Sequence, residues 1–250
     1  MIVFISFWLL VALTFSLNSA RASALRRDAS DWTLDISGLL VQGFVIPALE
    51  VSLVYGLLNI IAPQAKGSLE IPWALVFLLN FVAVDYLYYW NHRLLHSKMF
   101  WKIHAVHHTA DRVDVFITSR NTLWTPLLIV YVWANGIFLF LLKDPVPFLL
   151  SASITASLDL WRHTQFFTAP GSLLHRVVSV VIITPNEHIW HHSSDRADVN
   201  FGANLSIWDR IHGTYQTAAN RPESLGIPLR LGLNRKLLFP FRNRRPELPR

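Results

Sequence analysis

The sequence predicts an all-α integral membrane protein, in which four core transmembrane helices form two hairpins under a cytosolic helical cap and a further span lies at the N-terminus. Three observations support this fold class. Only 15% of the 250 residues are charged and 52% are hydrophobic, whereas a soluble domain carries about 25% charged residues. Apolar segments of about 20 residues, the length that crosses a bilayer, recur along the chain. All histidines and nearly all basic residues lie on one side of these segments.

The first apolar segment, residues 1–20, is followed at once by Arg21, Arg26 and Arg27. In a signal peptide the basic residues precede the apolar run. The reversed order therefore favours a retained anchor over a cleaved signal peptide. We expect residues 1–37 to form an N-terminal apolar anchor followed by a basic loop.

Two predicted hairpins follow this anchor. Residues 38–62 and 71–90 are the arms of the first hairpin, and residues 122–142 and 146–161 are the arms of the second. A short polar turn joins the two arms in each case. The last arm is short and contains Asp159, so we expect it to be tilted or re-entrant.

The distribution of Lys and Arg predicts the orientation, because positively charged loops stay in the cytoplasm. Of the 22 basic residues, only Lys66 and Lys143 fall in the two hairpin turns. Segment 92–121 and the chain after Arg162 are therefore expected in the cytoplasm. The membrane would be the inner membrane of a bacterial cell or the endoplasmic reticulum of a eukaryotic cell. Four arginines near the C-terminus are expected close to anionic lipid headgroups: Arg242, Arg244, Arg245 and Arg250.

The composition excludes several classes of site. The chain has no cysteine, which removes disulfides, iron–sulfur clusters, thiolate-bound haem, Cys nucleophiles and Cys-based zinc sites. No G-x-G-x-x-G or Walker loop occurs among the ten glycines, so no nucleotide site is predicted. The pI is about 9.9, but the basic residues flank apolar segments and form no patch typical of a nucleic-acid-binding domain. Any tightly bound metal must therefore use His and carboxylate ligands.

The histidines form three clusters and one isolated position. One H-x-x-x-H pair and two H-x-x-H-H clusters occur, and between the second and third clusters His163 lies just after the last predicted span. The predicted ligands are His92, His96, His104, His107, His108, His163, His188, His191 and His192. This number exceeds the four or so ligands of one zinc site and suits two metal ions with open positions. His175 and His212 lie outside the clusters, and we expect them to be structural.

The residues around these histidines suggest which side chain orients a ligand and which metal is bound. A continuous helix would place Asp85 below His92 on one face, where its carboxylate would accept the free N–H of a ligating imidazole. Imidazole ligands suit Zn, Cu, Fe or Ni, so ligand type leaves the metal open. A site facing lipid C–H bonds favours iron, because activated oxygen on non-haem iron breaks such bonds. Glu187 precedes its cluster, so the H-E-x-x-H motif of zinc proteases is absent.

The ordered motifs between residues 85 and 215 resemble those of the fatty acid hydroxylase/sterol desaturase superfamily of integral membrane di-iron oxygenases. They read D, then Y-W-x-H-R-x-x-H (89–96), W-x-x-H-x-x-H-H (101–108), R-H-T (162–164), T-P-x-x-H-x-x-H-H-S (184–193), N-F-G (200–202) and W-D-R-x-x-G-T-Y (208–215). Two positions depart from the family pattern. Gln165 stands where Asn is common, and His212 stands where an aromatic residue is usual.

The resemblance implies two Fe ions bound by the nine clustered histidines, with Asp85, Asn200 and Asp209 as supporting residues. It also implies O2-dependent hydroxylation of a lipid such as a sterol, acyl chain, sphingoid base or carotenoid. Electrons are expected from a separate ferredoxin-like protein or cytochrome/reductase, with an acidic carrier docking on the basic face. Residues 38–220 would form the catalytic domain and residues 221–250 a basic cytosolic tail.

Several alternatives stay open from the sequence. A lipid or sterol desaturase would use the same site, and a stearoyl-type acyl desaturase has similar histidine motifs but is disfavoured by segment 200–215. A His-rich metal transporter or metal-binding scaffold is the alternative of another class. Transporter ligands usually lie within the spans, near the midplane, whereas these histidines lie beyond the span ends. A metal-free lipid-binding relative is disfavoured by the complete ligand set. The sequence does not indicate the oligomeric state.

Overall fold

The computed structural model of the protein describes residues 1–238. Within these residues all regular elements are helical, with three isolated β-bridges and no strand. The all-α fold class is therefore confirmed for the described part of the chain. The predicted arginine cluster at residues 242–250 lies outside it.

The first apolar segment is not one straight helix. Helix α1 (Ile2–Ser16) ends at Leu17, whose extended backbone starts a sharp bend, and α2 (Asn18–Leu25) leaves at 101° to it. The apolar residues 1–20 are therefore divided between two helices that meet at this bend. Helix α1 instead packs beside residues 146–162, where Ser6 Oγ donates a hydrogen bond to Ser157 Oγ at 3.1 Å.

Helix α3 (Ala29–Ile61) is the longest element, with 33 residues. It begins well before residue 38, because the Asp28 side chain caps its N-terminus by accepting a hydrogen bond from Asp31 N at 2.7 Å. The predicted boundary between residues 37 and 38 thus falls inside a continuous helix. Two π-helical segments, Val41–Val45 and Glu50–Tyr55, flank Pro47, which cannot donate an intrahelical hydrogen bond.

Helix α4 (Trp73–Leu95) follows and runs past the predicted end at residue 90. The chain then forms a single helical turn, α5 (Trp101–His104), and a series of 3-10 turns. Helices α6 (Val130–Leu141) and α7 (Val146–Arg162) come next and are joined by a short turn. Three short helices of the cap follow, α8 (Leu173–Val178), α9 (Pro185–His191) and α10 (Ile207–Ile211), and α11 (Leu233–Leu238) comes last.

The predicted span over residues 122–142 is corrected by the structure. Residues Thr125–Leu128 form a 3-10 turn that contains Pro126, and Ile129 is extended. Only 12 residues of the predicted segment, Val130–Leu141, therefore form α6. Among the described residues, α3 and α4 are each long and apolar enough to cross a membrane, and the bent α1–α2 pair is a third candidate.

Close contacts bring the long helices together. A Cβ on Gly136 of α6 would lie 2.5 Å from Val54 Cβ of α3, so the absence of a side chain permits this approach. A core of Val76, Val84, Ala134 and Phe148 joins α4, α6 and α7. These three helices and α3 therefore surround a common interior.

A buried network of ion pairs ties the start of α3 to the segment that follows the second histidine cluster. Asp35 accepts from Arg27 Nε at 2.7 Å and from Arg120 Nε at 2.6 Å. Arg27 also pairs with Asp114 at 2.5 Å, and Arg120 with Asp31 at 3.0 Å. The carboxylates of α3 are tolerated in an apolar helix because they face these guanidinium groups.

Candidate metal centre

The C-terminal end of α4 carries the first histidine pair. His92 and His96 are both buried and lie one helical turn apart. His92 Nδ1 donates to the carbonyl oxygen of Phe201 at 2.9 Å, and its Nε2 lies 3.0 Å from His104 Nε2. Extension of α4 beyond residue 90 is what brings this pair to the site.

The other clusters lie on short elements whose starts are fixed locally. His104 ends α5, and His107 and His108 begin a 3-10 turn. Helix α9 opens with a capping box, in which Thr184 accepts from the backbone and the Glu187 side chain accepts from Thr184 N at 3.1 Å. His163 follows the last residue of α7.

The nine predicted ligands come together in two groups. Within each group, one candidate ligand atom per histidine lies within 4.8 Å of all the others. The five-histidine group contains His92, His96, His104, His108 and His191, and the four-histidine group contains His107, His163, His188 and His192. Each group draws on more than one sequence cluster: the two triplets are divided between the groups, whereas the H-x-x-x-H pair stays together in the five-histidine group.

The spacing within the groups fits shared coordination. His108 and His96 approach at 3.1 Å, and His163 and His188 at 3.0 Å, in each case between Nε2 atoms. Two imidazole nitrogens bound at about 2.0–2.1 Å to one ion lie roughly 3.0–3.4 Å apart. His191 Nε2 is buried with no hydrogen-bond partner among residues 1–238. The donor sets therefore fit two metal ions bound through imidazoles.

Backbone carbonyls orient several of these rings. His107 Nδ1 donates to Arg120 O at 3.2 Å, His163 Nδ1 to Asp159 O at 2.8 Å and His191 Nδ1 to Val199 O at 2.8 Å. A proton held on Nδ1 leaves the Nε2 lone pair free for a metal. The tautomer needed for coordination is thus set by the fold.

Burial keeps the clusters neutral. Removal from water lowers the pKa of six cap histidines well below the usual value, and neighbouring imidazoles lower it further. The six are His104, His107, His108, His188, His191 and His192. Neutral imidazole is the form that binds metal.

The expected role of Asp85 is wrong. Its carboxylate accepts hydrogen bonds from Asn204 N at 2.7 Å, Leu205 N at 3.0 Å and Trp208 Nε1 at 2.8 Å, while the Nδ1 of His92 is bonded to Phe201. Two helical turns separate Asp85 from His92 by roughly 10 Å along the axis, which is too far for a direct contact. Asp85 instead holds the cap loop against α4.

Asn200 and Asp209 support the same loop without touching a histidine. Asn200 adopts φ 52°, and its side chain donates to Glu187 O at 2.7 Å and accepts from Gln216 N at 2.8 Å. Asp209 accepts from Gly202 N at 2.8 Å and Thr214 Oγ1 at 2.7 Å. Burial raises the pKa of Asp209, although these hydrogen bonds oppose the shift.

His175 and His212 lie outside both groups, as expected. His175 Nε2 contacts Glu187 Oε1 at 2.7 Å and thereby supports the start of α9. His212 stacks on the Tyr89 ring at 5.0 Å and contacts Tyr86 OH at 3.3 Å. Gln165, which stands where the family commonly has Asn, donates through its side-chain amide to Val113 O at 3.3 Å.

A cavity of about 160 Å³ lies beside the histidines, between α3, α4, α6 and α7. Members of both groups line it: His92 and His104 from the five-histidine group, and His107, His163 and His188 from the four-histidine group. Glu50 and Asn135 also line it, and neither was among the predicted site residues. An ionisable residue inside an apolar segment is the sequence feature that could have identified Glu50.

Sequence comparisons identify a family and several relatives that this chain resembles. The model of the fatty acid hydroxylase family matches residues 77–214. The ornithine lipid hydroxylase OlsE of Rhizobium tropici is 34% identical over 160 residues, which are 62% of this chain and 46% of the relative. The alkylglycerol monooxygenase of Danio rerio is 29% identical over 161 residues, 61% of this chain and 34% of the relative.

A third relative has a different activity in its name. The very-long-chain aldehyde decarbonylase GL1-6 of Oryza sativa subsp. japonica is 26% identical over 185 residues, 65% of this chain and 27% of the relative. The chain thus spans less than half the length of these three relatives. No solved structure matches it.

Proposed function

Because the chain belongs to the fatty acid hydroxylase family, we propose that it is a membrane-bound, di-iron, O2-dependent monooxygenase that hydroxylates a C–H bond of a lipid. The observation that carries this proposal is the pair of buried histidine groups lining one cavity between apolar helices. The lipid-modifying activities in the relatives' names support the substrate class.

The five-histidine group would hold one iron and the four-histidine group the other. Bound iron supplies the activation of O2 that breaks unactivated C–H bonds. The residues of the chain orient and shield the site. Arg120, Val199 and Phe201 hold Nδ1 protons through their carbonyls, and the surrounding apolar helices exclude bulk water from the reacting carbon.

We further propose that α3, α4, α6 and α7 form two membrane hairpins with the histidines and cap on the cytoplasmic side. Leu69 and Leu142 form a parallel β-bridge, so the two hairpin turns meet at one end of the bundle. This supports placing both turns on the side opposite the histidines. Residues 1–37 would be the anchor, 38–220 the catalytic domain and 221–250 the basic tail.

Electrons would come from a separate ferredoxin-like protein or cytochrome/reductase. The net charge of +6 favours an acidic carrier. Turnover with a supplied acidic carrier should fall when the tail arginines are replaced by Glu, and unchanged turnover would contradict this docking site.

The proposal is tested by comparing the lipids of cells that express the chain with those of cells expressing a His191→Ala, His192→Ala double variant, which loses one ligand from each group. We expect a lipid that gains one oxygen atom only with the intact chain, and two irons per purified chain. His212→Phe is the matched control, because it replaces a histidine outside both groups.

The same experiment separates the alternatives. Loss of two hydrogen atoms from a lipid would identify a desaturase that uses this site. Purified protein that binds a metal other than iron, in cells with unchanged lipids, would contradict the oxygenase and favour the metal transporter or scaffold.

A further inference from the structure

The cavity also has a polar wall formed by α3 and α6. On α3, Gln42, Ile46 and Glu50 all line the cavity, and their spacing of four residues places them on one helical face. On the opposite side, α6 contributes Tyr131 and Asn135. Glu50 and Gln42 lie outside the segment that matches the family model.

Glu50 and Asn135 are held together by the packing of α3 on α6. Asn135 Nδ2 donates to Glu50 Oε1 at 3.1 Å. A Cβ on the neighbouring Gly136 would lie 3.1 Å from the Glu50 carbonyl oxygen, so glycine permits the approach that forms this pair. Glu50 also begins a π-helical segment, and such segments occur frequently at functional sites.

Polar atoms of this wall lack protein partners. Asn135 Oδ1 and Tyr131 OH are buried and have no hydrogen-bond partner among residues 1–238. A buried polar group without a partner costs about 1–3 kcal/mol, and an ionisable residue within an apolar span is costly too. An acceptor-rich wall of this kind is suited to a ligand that donates hydrogen bonds.

We propose that Glu50, Asn135 and Tyr131 form a subsite for the hydroxyl or amine group of the lipid substrate. This inference rests on the proposed function, because it assigns the other end of the same cavity to the reacting C–H bond. Along α7 the cavity extends from Ala152 to Arg162, which is roughly 15 Å of helix. The substrate is therefore a lipid whose donor group lies within about that distance of the oxidised carbon, not a bare hydrocarbon.

The subsite is tested by ligand-dependent thermal stabilisation of the purified chain in detergent, which needs no turnover. The probes are 1-O-hexadecylglycerol, its dimethyl ether, which cannot donate, and hexadecylamine. We expect the free diol to bind at least about tenfold more tightly than the ether, because the ether leaves the buried acceptors of this wall without hydrogen-bond donors. Preference for the amine over the diol would identify an ammonium group as the natural donor.

Three variants assign the preference to this wall. Glu50→Leu should reduce the diol-to-ether ratio to about one, whereas Glu50→Gln should keep part of it, because the amide oxygen still accepts. Glu70→Gln is the control, since Glu70 pairs with Lys143 on the exposed turn. The ratio is measured within each variant, so a change in overall stability cancels.

Equal binding of diol and ether by the unmodified chain would overturn the subsite, as would an unchanged ratio in Glu50→Leu. Failure of the proposed function has a different signature. In that case the binding preference stands, but iron-loaded protein supplied with O2 and a reductant oxygenates neither probe.

A second inference rests on an exposed apolar surface of the cap. Six side chains that are each more than half exposed define this cap surface: Leu173, Leu174, Val177, Val180, Val181 and Ile211. Hydrogen bonds join its two parts, since Ser206 Oγ donates to Val180 O at 2.9 Å and Arg210 Nη2 donates to Ser179 O at 3.0 Å. The surface is therefore continuous across α8 and α10.

The cap surface lies at the depth of a candidate membrane span. Trp208 of α10 donates to Asp85 of α4 at 2.8 Å, and Asp85 is roughly 15 Å along the axis from the end of α4. Beside this contact the Trp90 ring packs on His212 at 4.8 Å, and Leu87 and Trp90 are exposed on α4. The apolar faces of cap and span are thus continuous.

We infer that the cap surface is inserted into the interface of the same lipid bilayer that α4 crosses, as amphipathic helices are. The absence of cysteine permits single-cysteine spin labelling of the full chain in phosphatidylcholine/phosphatidylglycerol vesicles. Labels at Val177→Cys and Val181→Cys should be accessible to O2 and shielded from a water-soluble nickel chelate, like a label at Leu87→Cys.

Glu223→Cys is the aqueous control, because Glu223 is exposed on a polar loop of the cap. Nickel accessibility at residues 177 and 181 equal to that at 223 would overturn the insertion. Shielding from both reagents would also overturn it, because a protein partner would then cover the surface.

Discussion

The carboxylate of Asp209 accepts a hydrogen bond from the backbone N–H of Phe201 at 2.8 Å. The carbonyl of that same Phe201 accepts from His92 Nδ1 at 2.9 Å. Asp209, which contacts no histidine, thus fixes the position of Phe201, and Phe201 in turn orients His92. We therefore propose that Asp209 is a positioning residue of the five-histidine group.

Asp209→Asn should weaken metal binding at the five-histidine group. The amide can offer only one acceptor oxygen to the three donors that Asp209 satisfies, so the Phe201 peptide shifts and His92 loses its fixed tautomer. Changes to residues that orient metal ligands typically cost about 10–100-fold in metal affinity or activity. Metal titration of the purified variant measures the loss, with the exposed Glu223→Gln as control. Affinity within twofold of the unmodified chain would contradict the role.

Gly202→Ala should destabilise the same loop. A Cβ there would lie 2.7 Å from Leu205 O and 2.9 Å from Asp209 Oδ2, so the backbone of the loop must move, which typically costs about 1–3 kcal/mol. The midpoint of thermal unfolding in detergent should fall. Gly43→Ala is the matched control, because no atom lies within 4 Å of its added Cβ and alanine favours a helix. Equal midpoints for the two variants would refute the clash.

The histidine spacing indicated contacts only at i, i+4, where three pairs each fall within one group: His92/His96, His104/His108 and His188/His192. The division of the histidines into two groups could not be predicted, since His191 joins His92 across about a hundred residues through tertiary packing. The role of Asp85 was misjudged because side chains on one helical stripe still lie two turns apart. That the nine histidines bind iron stays a prediction.

The errors in the predicted helices have local causes. The hydropathy of residues 122–142 does not show that Pro126 interrupts the helix. The hydropathy of residues 1–20 likewise does not show the bend at Leu17. Glu50 and Asn135 lie on separate helices, so the sequence of neither segment could predict their contact. The N-cap at Asp28 was the one local signal that would have moved the start of α3 to its observed position.

Asp35→Asn should impair the four-histidine group before the five-histidine group. It removes a buried carboxylate shared by Arg27 and Arg120, and breaking a buried ion pair costs about 3–5 kcal/mol. The carbonyl of Arg120 accepts from His107 Nδ1, so the disturbance reaches a proposed ligand. We expect iron content to fall from two towards one per chain. Asp31→Asn, at a quarter-exposed carboxylate, should have a smaller effect, and equal iron content in both variants would contradict this path.

Removal of the metal should make stability strongly dependent on pH. Burial lowers the pKa of histidines such as His104 and His188 in the folded, metal-free chain, whereas in the unfolded chain it is about 6.5. The unfolded state therefore binds more protons below pH 6.5, so stability is complete above that pH and is lost as the pH falls.

We expect the unfolding midpoint of chelator-treated protein to drop between pH 7.5 and about pH 5, and the drop to be smaller in the His191→Ala, His192→Ala variant, which has two fewer of these groups. Metal-loaded protein should resist acid until protons displace the ions from their imidazole ligands. A midpoint independent of pH after chelation would show that the histidines are not held neutral by burial.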